Sequence, residues 1–387
     1  MDVLVKKYGT THALWFRESK SFLLLEEPAF DVYMMQQEKM DRQEIVDFCQ
    51  AKYGHIERRV ESFVDEVSGL LADYNSPKAA QKLSQKEHFD DTVKAAHIIE
   101  SAVYKIGNKK IRINYGHQNL FHAIHPLQAH LAISETEEAK HVIDCFVEGD
   151  TLICKYNDKL VEAFKTDAVE YFTGNVRQLQ YSIVFGRGFY DWMAMLHASG
   201  VVQDKQAVLF SAAAGSGKTT ISALLKAKGY GYLSDDFIAV DKTGRAYPFP
   251  AAISVKEGSV PVLSEFYPEL QKTPEEPTFI GKMVRYIPVC NIDESTVDGV
   301  PVKAFVFVQY SANADAVFKA VQKREALQLL LKETWVNPEP EFVKAFFDWI
   351  DRTEFYRLTY SRTEEAVAAV KTIFEEKTAG SPSAQSG

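Results

Sequence analysis

The sequence predicts an α/β protein, α+β over its whole length, and three observations predict it. An apolar run at Ala207–Phe210 enters a turn of small residues and then a helical stretch with Ile221, Leu224 and Leu225 on one face. Residues 95 to 165 alternate short apolar runs with tight-turn residues, as paired strands do. Residues 56 to 74 carry Ile56, Val60, Phe63, Val64, Val67, Leu70, Leu71 and Tyr74 at the spacing of one helix face.

Taken in order, residues 3 to 27 read as strands. Ala13–Phe16 and Phe22–Leu25 form a hairpin about Arg17-Glu18-Ser19-Lys20. A helix over Pro28–Gln37 comes next. A second starts near Asp41, which has capping-box spacing to Glu44, and the long stripe from Ile56 to Tyr74 makes a third. Residues 76 to 94 open on Asn75-Ser76-Pro77-Lys78 and read as a linker. The strand-rich part follows, with a hairpin over Val103–Asn114 around Gly107-Asn108 and a second turn at Glu148-Gly149-Asp150. The spacing then predicts a helix from Asp167 to Ala194, and a strand starting at His197 that turns at Gln203–Gln206. Beyond the central motif lie a strand over Val302–Val308, helices over Lys323–Glu333 and Pro340–Arg352, a strand over Phe355–Tyr360 and a helix over Glu364–Glu376. The small polar residues 378 to 387 read as a disordered tail.

Composition narrows the function classes. At 387 residues the chain has room for two or three domains. A net charge of −9 without a basic stripe argues against nucleic acid as a partner. No apolar run approaches the roughly 18 residues of a membrane span, so no membrane partner is expected. Met1-Asp2-Val3 opens without a signal-like segment, and Cys49, Cys145, Cys154 and Cys290 have neither zinc nor redox spacing. A soluble, cytoplasmic protein with reduced thiols is the expectation. His117, His122, His125 and His130 match no zinc spacing and read as surface or hydrogen-bonded core residues.

The chemistry concentrates in Gln206–Val240. Ala212-Ala213-Ala214-Gly215-Ser216-Gly217-Lys218-Thr219 matches the phosphate-loop pattern G-x-x-x-x-G-K-[ST] except at its first position. Such a loop points backbone N–H groups and a helix N-terminus at an anion, the lysine adds a charge, and the threonine hydroxyl can ligand Mg²⁺. Alanine at position 212 fits only if φ is negative there, which is the expectation. Asp235 and Asp236 follow Lys218 by 17 and 18 residues, where a strand end can carry metal ligand and base.

His197 precedes Lys218 by 21 residues. These three spacings resemble those of the HPr kinase/phosphorylase group, and Tyr247–Ser259 is similar to the proline-containing stretch of its relatives. The likeness runs from about His197 to Phe374 and, more faintly, from Val103. It implies a P-loop kinase core with a mixed sheet, similar to phosphoenolpyruvate carboxykinase, in two parts: residues 95–195 and 196–377. It further implies ATP or another nucleoside triphosphate together with Mg²⁺. Asp235 would be the general base, Asp236 with Thr219 (and Asp235 beside them) would hold the metal, and Lys218 would sit on the phosphates with His197 in support. The sequence departs from the group in three places. Thr220 stands where an acidic residue is usual, Ala212 replaces glycine, and the Arg-Gly-Leu-Gly stretch is not evident. These departures bear on HPr as substrate and on the reverse phosphorylase reaction. Lys282 and Arg285 are the basic residues that could clamp phosphates, or they form an ordinary solvated face.

Residues 1–75, a hairpin with Phe22-Leu23-Leu24-Leu25-Glu26-Glu27 followed by three helices, resemble a PqqD-type domain of winged-helix-like build. Such domains bind the leader segments of ribosomally made precursor peptides, here at the sheet edge Ser21–Glu27 beside the helix Arg58–Tyr74. The alternative is a packing module without a peptide. Together the two resemblances imply a kinase for a Ser or Thr hydroxyl on a bound precursor peptide. A kinase for a small hydroxylated metabolite such as free serine, and a nucleotide-gated adaptor without catalysis, are the competing expectations. Homo-oligomerisation is left open.

Overall fold

The computed structural model describes residues 3–54, 59–76, 85–213, 215–278 and 281–376. It is a mixed α/β architecture built on several sheets, most of them antiparallel with parallel pairs at the centre. Among the described residues no helix is long and apolar enough to cross a membrane.

The N-terminal module is a three-stranded meander, β1 (Val3–Tyr8), β2 (Thr11–Phe16) and β3 (Ser21–Glu26), and not the hairpin alone. Three helices follow: α1 (Glu27–Gln37), α2 (Arg42–Tyr53) and α3 (Val60–Tyr74). The Asp41–Glu44 capping box forms in both directions and starts α2. The third helix begins at Val60, because Arg59 is extended (ψ 118°); Ile56 and Arg58 lie outside the described residues.

Strand β2 is buried at every position. Alternate residues explain why. Leu14 and Phe16, with Leu23 and Leu25 of β3, face the three helices. Ala13 and Trp15, with Phe22 and Leu24, face the rest of the protein. This is the reason Ala13-Leu14-Trp15-Phe16 is a continuous apolar run rather than an alternating one.

Residues 85 to 94, half of the expected linker, are docked rather than loose. Phe89, Val93 and Ala95 cover Phe146, Ile153 and Ala163, and the buried Lys155 ammonium donates to the Asp91 and Val93 carbonyls at 2.8 and 2.9 Å. They lie against a six-stranded sheet made of β4 (Glu100–Ile106), β5 (Lys109–Tyr115), β6 (Ala132–Ile133), β7 (His141–Glu148), β8 (Thr151–Tyr156) and β9 (Lys159–Lys165). Helix α4 (Gln118–Ile124) follows β5, and α5 (Val169–Phe185) packs Phe172, Val176, Leu179 and Ile183 into the main core beside this sheet. The helix stops at Phe185, nine residues before the expected Ala194, where Gly186 takes a left-handed conformation (φ 64°) as its cap. Trp192–Leu196 is instead a strand, β10, so the large sheet begins ahead of the expected boundary at residue 196.

That large sheet holds β11 (Ser199–Gln203), β12 (Gln206–Ser211), β13 (Gly231–Ser234), β14 (Ile238–Asp241) and β15 (Arg245–Tyr247), with later strands described below. Helix α6 (Lys218–Ala227) follows β12. A side sheet contains β16 (Ile253–Lys256), β17 (Glu276–Pro277) and β18 (Met283–Ile287), with the short helix α7 (Val260–Ser264) between β16 and β17. The chain returns to the large sheet with β19 (Val300–Tyr310), β20 (Val317–Ala320), helix α8 (Lys323–Leu330), β21 (Thr334–Val336), helix α9 (Pro340–Arg352), β22 (Glu354–Tyr360) and helix α10 (Thr363–Glu375).

At its centre β12 runs parallel to β19, and β19 parallel to β22. These strands are apolar on both faces because helices cover both. Val208, Phe210, Val306 and Leu358 meet α6 and α10. Ala207, Leu209, Phe305 and Phe355 meet α8 and α9.

The N-terminal module packs on α9. Phe22 contacts the rings of Phe346 and Phe347 at 6.3 and 6.0 Å, and Lys6 pairs with Asp351 at 2.5 Å. Trp15, 1% exposed, therefore belongs to the core of the large sheet as much as to its own module. Trp15→Ala is expected to cost about 3–5 kcal/mol, and the urea midpoint followed on the large-sheet tryptophans should fall with it. A midpoint unchanged there would mean that the module folds separately.

Candidate functional site

The site starts from β12, which delivers the chain into Ala212–Gly217. Gly215 (φ 86°) and Gly217 (φ 94°) take the left-handed region, while Ala212 is not among the residues with positive φ, as its side chain requires. Gly217 is also short of room, since a Cβ there would lie 2.5 Å from the Tyr360 hydroxyl. The loop rests on the ends of β19 and β22: the Tyr310 N–H donates to the Ser216 carbonyl at 3.0 Å, and Tyr310 and Tyr360 are direct cross-strand neighbours. Ala213 accepts from the Ser216 N–H, and Ala214 lies outside the described residues. Lys218 and Thr219 open α6, and the Ser199 hydroxyl donates to the Lys218 carbonyl. Thr220 bonds to the Ser259 hydroxyl at 2.8 Å, so it faces the side sheet.

Asp235 and Asp236 follow β13. In a continuing strand, adjacent side chains point to opposite faces. Asp236 breaks that alternation by adopting φ 66°, and both carboxylates reach the start of α6. Lys218 Nζ lies 2.5 Å from Asp236 Oδ1. The Thr219 hydroxyl lies 3.2 Å from both oxygens of Asp235. His197 Nε2 is 3.4 Å from Asp236 Oδ1, and its Nδ1 is 3.5 Å from Glu333. His197 itself is a bend between β10 and β11 rather than the first residue of a strand, and its N–H donates to the Glu333 carbonyl. The hairpin behind it turns on Asp204-Lys205, both at positive φ, a tight two-residue connection.

Lys218, Thr219, Asp235, Asp236 and His197 thus converge, but the expected pairing of Thr219 with Asp236 does not form. Thr219 meets Asp235, and Asp236 meets Lys218 and His197. The physical reason is the turn at 236, which leaves Asp235 buried on the strand end (5% exposed) and swings Asp236 into the open side of the recess, where its side chain keeps 54% of its surface. Burial, with the neighbouring Asp236 charge, pushes the Asp235 carboxyl up to about 7 against the pull of Lys218. Partial desolvation by the walls of the recess acts in the same direction on the half-exposed Asp236, but the Lys218 ammonium and the His197 ring outweigh it and hold that carboxyl well below the usual range.

Of the basic pair expected to clamp phosphates, Arg285 is engaged with a local loop. Arg285 Nη1 donates to the carbonyls of Leu270, Gln271 and Thr273, and its Nη2 to Glu275, so its charge ties down residues 270–275. Lys282 is exposed, and its backbone closes a turn with Thr278. The histidines singled out by spacing are engaged locally. His117 caps α4, His122 bonds Gln118 and His125 bonds the Tyr104 hydroxyl. Tyr310, Tyr360, Ser199 and Glu333 carry no sequence signal for this site, because only strand register and the return of β21 bring them to it.

The residues present fit a nucleotide phosphate and a divalent cation. Lys218 turns its ammonium onto a neighbouring carboxylate, Asp235 is a buried acid beside a threonine hydroxyl, and the loop keeps its left-handed turns at Gly215 and Gly217. Comparison with known proteins adds no family: no family model matches the chain, and no curated protein matches it.

The two acid shifts have opposite linkage. Asp235, raised on folding, is tolerated when protonated and costs stability increasingly as pH rises from about 4 to 7. Asp236, lowered on folding, contributes stability above about pH 4 that is lost on acidification. Asp235→Asn is therefore expected to raise the melting temperature of the ligand-free protein, with a gain larger at pH 8 than at pH 5. Thermal denaturation at the two pH values measures it, and an equal or reversed gain contradicts the buried-acid assignment.

Proposed function

We propose that the protein is an ATP- and Mg²⁺-dependent phosphotransferase that acts on a Ser or Thr hydroxyl, with a PEP carboxykinase-like core and a PqqD-like peptide-holding module. The observation that carries the reading is the meeting of Lys218, Thr219, Asp235, Asp236 and His197 at one loop, within 2.5 to 3.4 Å along the chain of contacts. A packing role alone gives no reason for an ammonium, two carboxylates and an imidazole to share one recess.

The geometry favours exchanging the two acids' roles. Thr219 and Asp235 would hold Mg²⁺, which supplies charge to offset the transferred phosphoryl oxygens. Asp236 faces the open side and would take the hydroxyl proton, because a base must touch the group it deprotonates before its pKa matters. When Lys218 turns to the phosphates, the charge that depresses Asp236 moves away and its basicity rises. His197 lies against the same carboxylate and would hold it in place. Backbone N–H groups of Gly215, Gly217 and Lys218, at the α6 N-terminus, would bind the phosphates.

The peptide arm is supported by the sheet order β1-β2-β3, which among the described residues leaves β3 paired on one side only. A strand edge of this kind takes an added peptide strand through main-chain hydrogen bonds. Holding the peptide there would raise its concentration near Asp236.

Incubation with ATP, Mg²⁺ and a precursor peptide encoded beside this protein, followed by mass spectrometry, should show one added phosphoryl group on a Ser or Thr. Asp236→Asn should lower turnover at least about 100-fold while leaving Mg²⁺–nucleotide binding in place. Asp235→Asn should weaken the Mg²⁺ dependence itself. The reverse pattern would return the base role to Asp235. Phosphorylation of free serine with no peptide product would instead favour the metabolite kinase. Separately, Gly217→Ala should weaken binding of a fluorescent ATP analogue by about tenfold or more, through backbone strain and the Tyr360 clash; unchanged binding would remove the P-loop from the reading.

A further inference from the structure

Helix α5 buries a cation with no counter-charge. Arg177 is 8% exposed, its Nη1 has no hydrogen-bond partner, and it forms no hydrogen bond or ion pair with any described residue. Its guanidinium lies 4.0 Å from the centre of the Phe249 ring. The polar groups closest in effect are the hydroxyls of Tyr181, Tyr232, Tyr115 and Tyr104, and each is committed elsewhere. Tyr104 bonds Tyr115 and His125, Tyr181 donates to the Phe237 carbonyl, and Tyr232 donates to the Ala251 carbonyl. Burial lowers the guanidinium to about 10, so it remains a cation at neutral pH.

Three further buried atoms without a hydrogen-bond partner lie on the same helix or the segment bonded to it: Gln180 Oε1, Gln128 Nε2 and His130 Nε2. Gln180 shares a face of α5 with Arg177, three residues away. Gln180 Nε2 donates to Gln128 Oε1 at 2.8 Å, which leaves the Gln180 oxygen unmet, while the Gln128 amide nitrogen has beside it only the Tyr104 and Tyr115 hydroxyls, already bonded to each other. His130 lies on the same 3-10 segment as Gln128, and its ring feels the Arg177 charge. A buried polar atom without a partner is costly, and a buried unpaired charge more so. Water would satisfy the amides and the imidazole but would not supply a negative charge.

We propose that Arg177, Gln128, Gln180 and His130 form an internal site for a small carboxylate that also carries a hydrogen-bond donor, in the class of amino and hydroxy acids. The guanidinium fork matches a carboxylate, and the Gln128 amide adds a second donor to the same group. The Gln180 oxygen accepts the ligand's own N–H or O–H, and His130 completes the ring of partners. The charges of Asp235 and of Arg177 both reach Tyr232, so the bound anion would lie near the P-loop chemistry without sharing its residues. The site does not depend on phosphotransfer.

The test uses the full chain without nucleotide. L-Serine, as the probe, should raise the melting temperature saturably and bind in calorimetry, with acetate weaker because it lacks a donor. Arg177→Met should abolish serine binding and, in the absence of serine, should be no less stable than the parent. Gln180→Leu, which keeps the cation, should weaken binding at least about tenfold, and it decides the matter should Arg177→Met not fold. Asp236→Asn should leave binding unchanged, which separates this site from the acid recess. The proposal is overturned by the absence of saturable serine binding, by binding that Arg177→Met or Gln180→Leu leaves intact, or by binding of inorganic phosphate in place of serine.

Discussion

Two carboxylates on consecutive residues, one ammonium and a loop of backbone N–H groups cannot all be satisfied by one another. That imbalance organises the centre of this protein. Lys218 neutralises Asp236, and Asp235 is left with a threonine hydroxyl and a pKa raised toward neutrality. A left-handed residue is retained at Asp236 to bring the second acid into the recess. In the proposed phosphotransferase, the phosphates and a divalent cation would offset this strain and the uncompensated acid.

The surrounding fold makes that arrangement rigid. Strands β12, β19 and β22 are covered on both faces, so the loop after β12 and the tyrosines at the ends of β19 and β22 hold fixed positions. Residues that touch the recess come from β12, α6, the end of β13 and the connections on either side of β10 and β21. The N-terminal module is built into the same core through Trp15 and Phe22, so its free strand edge keeps a constant position relative to α9. A peptide on that edge would be presented by a fixed support and not by a tethered one.

Much of this was legible from local pattern. Helix α9 begins and ends at the residues its stripe and Pro340 indicate, and the Asp41–Glu44 box starts α2. Errors fell where long-range packing decides. The helix expected to continue to Ala194 ends at Gly186, since Trp192–Leu196, apolar enough for either state, pairs with β14 and β21. The polar composition of residues 85–94 suggests a linker, but Phe89 and Val93 among charged residues, with the following Ala95, suffice to cover a sheet face. Arg285 has a basic residue's sequence signal, yet both its terminal nitrogens donate to a local loop.

The sequence by itself determined the strand–loop–helix order, the glycines that give the phosphate loop its left-handed turns, and the presence of a lysine, a threonine, two aspartates and a histidine at set separations, because these follow from side-chain type and chain spacing. Only the tertiary structure decided which acid meets Thr219 and which meets Lys218, that Glu333 backs His197, and that Arg177 is buried without a counter-charge. Those relations arise from strand register, a backbone turn and the packing of α5 against the rest of the core, none of which is encoded over a few neighbouring residues.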